Sequence, residues 1–406
     1  MESDESRKSN LSWTPILGLG RMTRNTNGKT MKRKPIIDEV REIAEAPFSY
    51  LRNWKTRTGK KILGYFCANT PEEIIQAASL LPVRLLGSRE SISLASRHLQ
   101  SYSCSLIQSS LEGALKGDLN FLDGTVFPHT CDSIQRLSDI WAENLRFPFH
   151  WDLVLPVKLQ TESARTYLIQ ELRRFRRGLE EFIGQAISDQ DLRASIGLAN
   201  ENRSLLRECY HRRVDQPDMF SGAEFLSLVK TATFLPKAEH TTRLKELLAH
   251  MEGKKPLFPN RVRLFLAGSV CDQSPVLDLF EASGASIVGD DLCTGWRYFA
   301  EDVSPEGDPI EALADRFIRR VPCPCKYNPS IDRAEDFVKR VIGSRAQGVV
   351  FILLKFCDPH AFDYPYLKGK LDERKVPSLL LEIEPGGVPL GAVETRLKAF
   401  VETLGG

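Results

Sequence analysis

No apolar run in the sequence reaches the roughly 18 residues needed to cross a bilayer, so a membrane-spanning protein is excluded. Charge of one sign is also missing. Lys and Arg number 55 against 53 Asp and Glu, a formal net charge of +2. Nucleic-acid readers carry a basic excess, so no nucleic-acid partner is expected. Met1 to Asn10 is polar and has no apolar signal core, so secretion is not expected. The sequence holds no C-x2-C pair, which excludes zinc ribbons and rubredoxin-like sites. Walker A, H-E-x-x-H, G-x-S-x-G and EF-hand patterns are absent as well. Gly18-Leu19-Gly20 follows no strand, so it does not make a dinucleotide loop. The nine cysteines are an odd number in a chain expected to be cytoplasmic. A disulfide framework is therefore disfavoured, and metal-binding or reactive thiols explain some of them better.

What is present is globular: 406 residues, 42% hydrophobic and 27% charged. That length predicts two or three domains. Residues 7 to 34 carry eight Lys or Arg and no acid, which reads as a flexible basic arm, solvated or docking a partner. One helix is expected over 36–54. Strands and helices then alternate, with strands at 61–66, 82–86, 125–128 and 151–157. Helices are expected at 71–81, 104–115 and 131–143. Residues 162 to 250 read as almost wholly helical. Leu168, Leu172, Phe175, Leu179, Phe182 and Ile183 form one apolar stripe there. Arg173, Arg174, Arg176 and Arg177 fall outside it, as a solvated face or a contact for an anionic ligand. The composition of residues 253–259 is that of a linker. A second series places strands at 262–267, 285–288, 348–355 and 376–383, with helices at 274–283, 308–320, 333–344 and 392–404. Such alternation predicts parallel sheets with helices on both faces. The expected organisation is an arm and helix over 1–59, an α/β domain over 60–160, a helical segment over 161–257 and a second α/β domain over 258–406.

Four cysteines follow predicted strands: Cys67, Cys131, Cys271 and Cys357. Sites in open parallel sheets form beyond the carboxyl ends of strands. Cys104 opens a helix, where exposed N–H groups favour a thiolate. Each cysteine taken singly fits a buried structural thiol. Taken together, soft ligands from distant strand ends suit an iron–sulfur cluster better than an isolated zinc ion. The residues alone therefore imply an iron–sulfur or thiol site in a two-domain α/β protein.

Several ordered motifs carry a family resemblance. They are Gly64-Tyr-Phe-Cys-Ala-Asn-Thr-Pro-Glu-Glu73 with Leu81-Pro-Val-Arg84, Phe127-Pro-His-Thr-Cys-Asp-Ser-Ile-Gln-Arg136, Asp290-Asp-Leu-Cys-Thr-Gly295, Val321-Pro-Cys-Pro-Cys325 and Phe356-Cys-Asp-Pro-His-Ala-Phe-Asp-Tyr-Pro365. From about residue 60 to the end, the chain resembles the 2-hydroxyacyl-CoA dehydratase and benzoyl-CoA reductase family. The resemblance implies two facing Rossmann-like domains with a 4Fe–4S cluster between them, held by three cysteines that leave one iron open. Those positions are Cys104, in the looser motif Ser103-Cys-Ser-Leu-Ile-Gln-Ser-Ser110, with Cys131 and Cys357. Two ligands would come from the first domain and one from the second. Some relatives hold an 8Fe–9S double cubane on six cysteines. Three of Cys67, Cys293, Cys323 and Cys325 could complete such a set, or these thiols could simply line the crevice. Cys209 and Cys271 read as structural.

The implied chemistry is one-electron reduction of an acyl-CoA thioester to a ketyl radical anion. The motifs look nearest to an ATP-dependent benzoyl-CoA reductase of anaerobic aromatic degradation. A 2-hydroxyacyl-CoA dehydratase subunit is the alternative, and a non-catalytic cluster-binding paralogue paired with a catalytic subunit is a third reading. His129 and His360 lie near the cysteines and are candidate proton donors, or hydrogen-bond donors to a cluster sulfur; Tyr364 and Asp358 are weaker candidates. Arg84, Arg136 and Arg297 are candidates for CoA phosphates. The implied partners are the acyl-CoA substrate, a homologous second subunit, an ATP-hydrolysing iron–sulfur activator and an upstream ferredoxin.

Overall fold

The computed structural model describes residues 35–87, 91–251, 261–272, 274–320, 322–384 and 390–405. The basic arm at 7–34 and the linker at 253–259 lie outside the described residues. No helix is long and apolar enough to cross a membrane, among the described residues.

The chain enters through α1 (Ile36–Glu45) and α2 (Pro47–Thr58). The single helix expected over 36–54 is thus two. Pro47 has no N–H to continue α1, and it takes the N-terminal position of a new helix instead. Four strands follow: β1 (Ile62–Tyr65), β2 (Leu81–Arg84), β3 (Gly124–Pro128) and β4 (Phe149–Leu153). They alternate with α3 (Glu72–Ala77), α4 (Ser105–Leu115) and α5 (Asp132–Asn144). The strands pair only in parallel, in the order β2-β1-β3-β4.

The helical stretch comprises α6 (Glu162–Ile183), α7 (Asp189–Asp215), α8 (Gly222–Ala232) and α9 (Lys237–Met251). Their starts are written in the sequence. Thr161 caps α6, and the Ser188/Asp191 and Ser221/Glu224 capping boxes open α7 and α8. Leu168, Leu172, Phe175 and Leu179 of α6 are buried against β4, as their spacing predicts. Arg173, Arg174 and Arg176 face outward and are taken up by Asp308, Glu171 and Asp189 of the same chain.

The second half repeats the first. It contains β5 (Val262–Gly268), α10 (Ser274–Ala282), β6 (Ala285–Asp291), α11 (Trp296–Phe299), α12 (Pro309–Arg319), α13 (Arg333–Gly343), β7 (Gly348–Leu354), α14 (Asp358–Glu373), β8 (Ser378–Ile383) and α15 (Leu390–Gly405). Its sheet is also parallel, in the order β6-β5-β7-β8. Every residue of β6 and β7 is buried, as expected of parallel strands covered on both faces. The molecule is therefore two Rossmann-like α/β units of identical strand order. In each sheet the chain reverses its direction of growth between the first and third strands, which places one switch point between β1 and β3 and another between β5 and β7.

Candidate functional site

Both switch points end in cysteine. Beyond β1 lies Cys67, and beyond β3 lies Cys131; beyond β5 lies Cys271, and beyond β7 lies Cys357. The backbone is strained at two of these exits. Cys67 has φ 58° and Phe356, next to Cys357, has φ 62°. Non-glycine residues avoid this left-handed region, and such strain concentrates at functional sites.

Cys104, Cys131 and Cys357 share one local setting. Each is the residue that precedes a helix: α4, α5 and α14 respectively. Free amide N–H groups at these helix starts favour negative charge on sulfur. The three thiols belong to one apolar cluster with Cys67, Phe66, Phe127 and Trp141. Their mutual electrostatic influence accords with that proximity. Burial pushes the Cys131 thiol up to about 12, reinforced by Cys104 and Cys67. Burial likewise raises Cys357 well above the usual thiol range, reinforced by Cys104, Cys293 and Cys131. Cys104 is raised by its burial, against the amides of Ile107 and Leu106. A metal would take these groups as thiolates, with release of their protons.

A second set of thiols adjoins the first from the other half. The Cys323 and Cys325 side chains share a hydrogen bond. That bond, with Arg297 and Lys326 nearby, holds Cys323 low, and the same bond drives Cys325 high. Cys293 is raised by burial, against Arg297, and lies within electrostatic reach of Cys323 and Cys67. Seven cysteines from both halves thus form one electrostatically linked group where the halves meet, the thiol crevice. Cys209 lies apart, buried among α7, α8 and α9, and Cys271 packs beneath β5. Among the described residues, no three His, Cys, Asp or Glu side chains gather as a single metal ion would require.

The two candidate histidines sit differently. His360 is buried and its Nε2 lies 3.4 Å from the Arg297 guanidinium and 3.9 Å from Cys293 Sγ. Burial, with Arg297 and Arg333 close by, holds its pKa well below 6.5, so the ring is neutral. His129 points to the edge of the first sheet instead. Its Nε2 is 2.9 Å from Asp152, which also accepts from Ser138 at 2.6 Å. Among the candidate phosphate ligands, Arg84 reaches across the crevice to the carbonyl of Cys293 at 2.7 Å. Arg297 is committed to Asp291 at 2.6 Å, and Arg136 is exposed on α5 beside Asp139.

Sequence reasoning missed the buried ion network beneath the thiols. Asp291 receives Arg297, Arg333 and Arg340. Glu73 pairs with Arg203 at 2.6 Å, and Glu72 binds Lys237, Tyr65 and Tyr298. These two glutamates belong to the first half, the cations to the helical stretch and Tyr298 to the second half. They tie the first half to the helical stretch and to the second half. The acidic pairs Glu72-Glu73 and Asp290-Asp291 are the signal that could have found them, since both lie inside the family motifs.

Comparison with known proteins accords with this geometry. The family model described as 2-hydroxyglutaryl-CoA dehydratase, D-component, matches residues 67–404. Among curated proteins, the chain is 30% identical to a benzoyl-CoA reductase subunit of Thauera aromatica, over 88% of this chain and 94% of that one. It is 28% identical to the (R)-phenyllactyl-CoA dehydratase beta subunit of Clostridium sporogenes, over 91% and 98%. It is 26% identical to the (R)-2-hydroxyglutaryl-CoA dehydratase beta subunit of Acidaminococcus fermentans, over 91% and 99%. The chain therefore belongs to the 2-hydroxyacyl-CoA dehydratase and benzoyl-CoA reductase family.

Proposed function

We propose that this chain is the iron–sulfur subunit of a multi-subunit acyl-CoA reductase or dehydratase, with Cys104, Cys131 and Cys357 as the ligands of a 4Fe–4S cluster. The observation that carries the reading is that three cysteines at helix N-cap positions, two from the first sheet's half and one from the second's, pack in one apolar cluster. The donors are all sulfur, they sit at helix N-termini, and they are spread around a shared crevice. That donor set fits a thiolate-held cluster and not a single ion. Bound there, the cluster supplies single-electron transfer at low potential. The chain's own residues exclude water, through Phe66, Phe127 and Trp141, and hold the two halves at fixed separation through Glu72 and Glu73. His360 stands neutral beside the thiols with one N–H to donate. Cys67, Cys293, Cys323 and Cys325 are the reserve from which a double cubane would be completed.

The favoured reaction is reduction of an aromatic acyl-CoA, on the motifs and on the likeness to the Thauera benzoyl-CoA reductase protein. Dehydration of a 2-hydroxyacyl-CoA is the second reading, favoured by the names of the beta-subunit relatives. Those names also support pairing with a second subunit; an ATP-hydrolysing activator fed by ferredoxin would dock over the cluster and deliver electrons to it. The test is anaerobic purification with its co-expressed partner. About four irons per chain support the single cluster, and about eight support the double cubane. Cys357→Ser should lose the cluster's spectroscopic signal and keep the fold, while Cys209→Ser keeps both. Full iron in Cys357→Ser would overturn the ligand assignment. With activator, reductant and ATP, turnover of benzoyl-CoA supports the reductase, and turnover only of a 2-hydroxyacyl-CoA moves the assignment to the dehydratase.

A further inference from the structure

The cations set into the interior of this protein fall into two groups. Most have a carboxylate: Arg203 has Glu73 at 2.6 Å, Arg213 has Asp290 at 2.8 Å, Lys237 has Glu72 at 3.1 Å, and Arg297 has Asp291 at 2.6 Å. Four do not, among the described residues: Arg263 donates to the carbonyls of Val214, Ser344 and Arg345, and the other three lie beside the thiols. Arg84 is 5% exposed, and its guanidinium donates only to the carbonyl of Cys293, leaving Nε buried without a partner. Arg320 is also 5% exposed and reaches the carbonyls of Ala68 and Arg297 and the side-chain oxygen of Asn69. Lys326, half-buried, donates to the Phe317 carbonyl at 3.0 Å and lies over the Phe317 ring. Glu301 is within electrostatic reach of Arg320 and Lys326 and pairs with neither.

Uncompensated buried charge costs several kcal/mol per ion, so a fold keeps it only where something else balances it. All three cations face the crevice. Arg84 donates to the carbonyl of Cys293, Arg320 donates to the carbonyl of Ala68 next to Cys67, and Lys326 directly follows Cys325. They come from three separate places: the end of β2, the end of α12 and the loop after Cys325. Their convergence on the sulfur atoms is therefore a property of the crevice and not of one element.

We propose that Arg84, Arg320 and Lys326 are charge-compensating residues of the thiol crevice, which balance the negative charge of a thiolate-bound iron–sulfur group and set its reduction potential. The inference rests on the cluster reading proposed above for Cys104, Cys131 and Cys357. Added electrons make such a group more negative, so removing a nearby cation disfavours the reduced state. The cations act through the field on the group; they need not touch it, and they are positioning residues in that sense.

The experiment is a redox titration of the anaerobically purified protein, followed by electron paramagnetic resonance. Lys326→Gln and Arg84→Gln should each lower the reduced-to-oxidised ratio at a fixed poise about tenfold, which is about 59 mV for a one-electron couple. Arg84→Lys and Lys326→Arg keep the charge and should restore the potential. Arg212→Gln, half-buried on α7 beside Glu208, should leave it unmoved. If Arg84→Gln does not fold, the partly exposed Lys326 carries the test. An iron-loaded wild type whose potential is the same in the charge-neutral variants would overturn this inference alone. An iron-free wild type that cannot be reconstituted would bring down the cluster reading, and this inference with it.

Discussion

The two halves share a strand order and differ in how they finish their strand ends. The first half ends β1 and β3 in apolar surroundings: Phe66 stacks on Phe127 at 5.0 Å and both meet Trp141 edge-on. Its thiols are shielded by rings and helix starts. Beyond β5 and β6, the second half is finished in salt. Asp291 holds three guanidinium groups, and one of them, Arg297, touches both His360 and Cys293. One fold, duplicated, has supplied a dry wall and a charged wall to a single crevice. Topology fixes where a site lies, while its electrostatics are written by the few residues after each strand.

The strand exits offer the severest way to break that comparison. Gly268 ends β5 with φ +141°, and a Cβ there would lie 1.9 Å from the carbonyl oxygen of Ile352 on β7. Neither the conformation nor the backbone contact can yield cheaply. Gly268→Ala should cost more than about 4 kcal/mol and leave the second half unfolded, read by loss of its hydrogen-exchange protection. Retention of normal protection would show that the second switch point is not tightly packed.

Next comes the charged wall. Asp291→Ala leaves the buried Arg297 without a carboxylate and takes one of two from Arg333 and Arg340, which keep Asp363 and Asp336, and breaking a buried ion pair costs about 3–5 kcal/mol. A large fall in the denaturant midpoint is expected, together with loss of Arg297 from His360. Trp141→Ala on the dry wall should cost about 3–5 kcal/mol by lost packing alone. The two differ in salt response: only the Asp291→Ala deficit should shrink as ionic strength rises, if water enters the broken network.

The clamp between the halves should respond to acid. Burial pushes Glu73 up, but Arg203 and Arg316 outweigh it and bring the carboxyl down to about 2 from 4.5. Its folded pKa lies below the unfolded one, so the stability it contributes is complete above pH 4.5. That stability is lost as pH falls through 4.5 toward 2. Arg203→Met removes the largest opposing influence, so the variant's deficit relative to wild type should narrow in that window. Denaturant midpoints at about pH 6 and about pH 3 make the comparison, and an equal deficit at both would mean that the pair does not set the carboxyl.

Much of this was legible in sequence. All eight strands overlap their expected ranges, though β4 runs over Phe149–Leu153 and not 151–157, and strand ends point to Cys67, Cys131 and Cys357 from spacing alone. Helix α14 escaped because Pro365 interrupts it and its apolar residues follow no clean period. The ion network escaped for a deeper reason. Glu72, Glu73 and Asp291 stand in acidic pairs inside the motifs, but only the fold brings in the cations that bury them, as Arg203 does for Glu73 from 130 residues away. Periodicity reads burial along one element and cannot read a partner on another. The role of Phe356 and Cys67 as strained exits was equally hidden, since neither residue type announces a left-handed backbone.

The smallest effect expected is at one of those exits. Cys67 holds φ 58° just beyond β1, where the other half places Gly268 at the end of β5. An L-residue in the left-handed region costs about 1–2 kcal/mol relative to an unstrained conformation, and glycine does not bear that cost. Glycine normally destabilises folded structure relative to alanine. At this position the order should invert, with Cys67→Gly more stable than Cys67→Ala by about 1 kcal/mol in denaturant unfolding of the iron-free chain. Using the iron-free chain separates backbone strain from any part Cys67 plays in holding metal. If alanine proves the more stable, the exit from β1 is not strained. The two halves would then differ at this point in sequence only, and not in stored conformational energy.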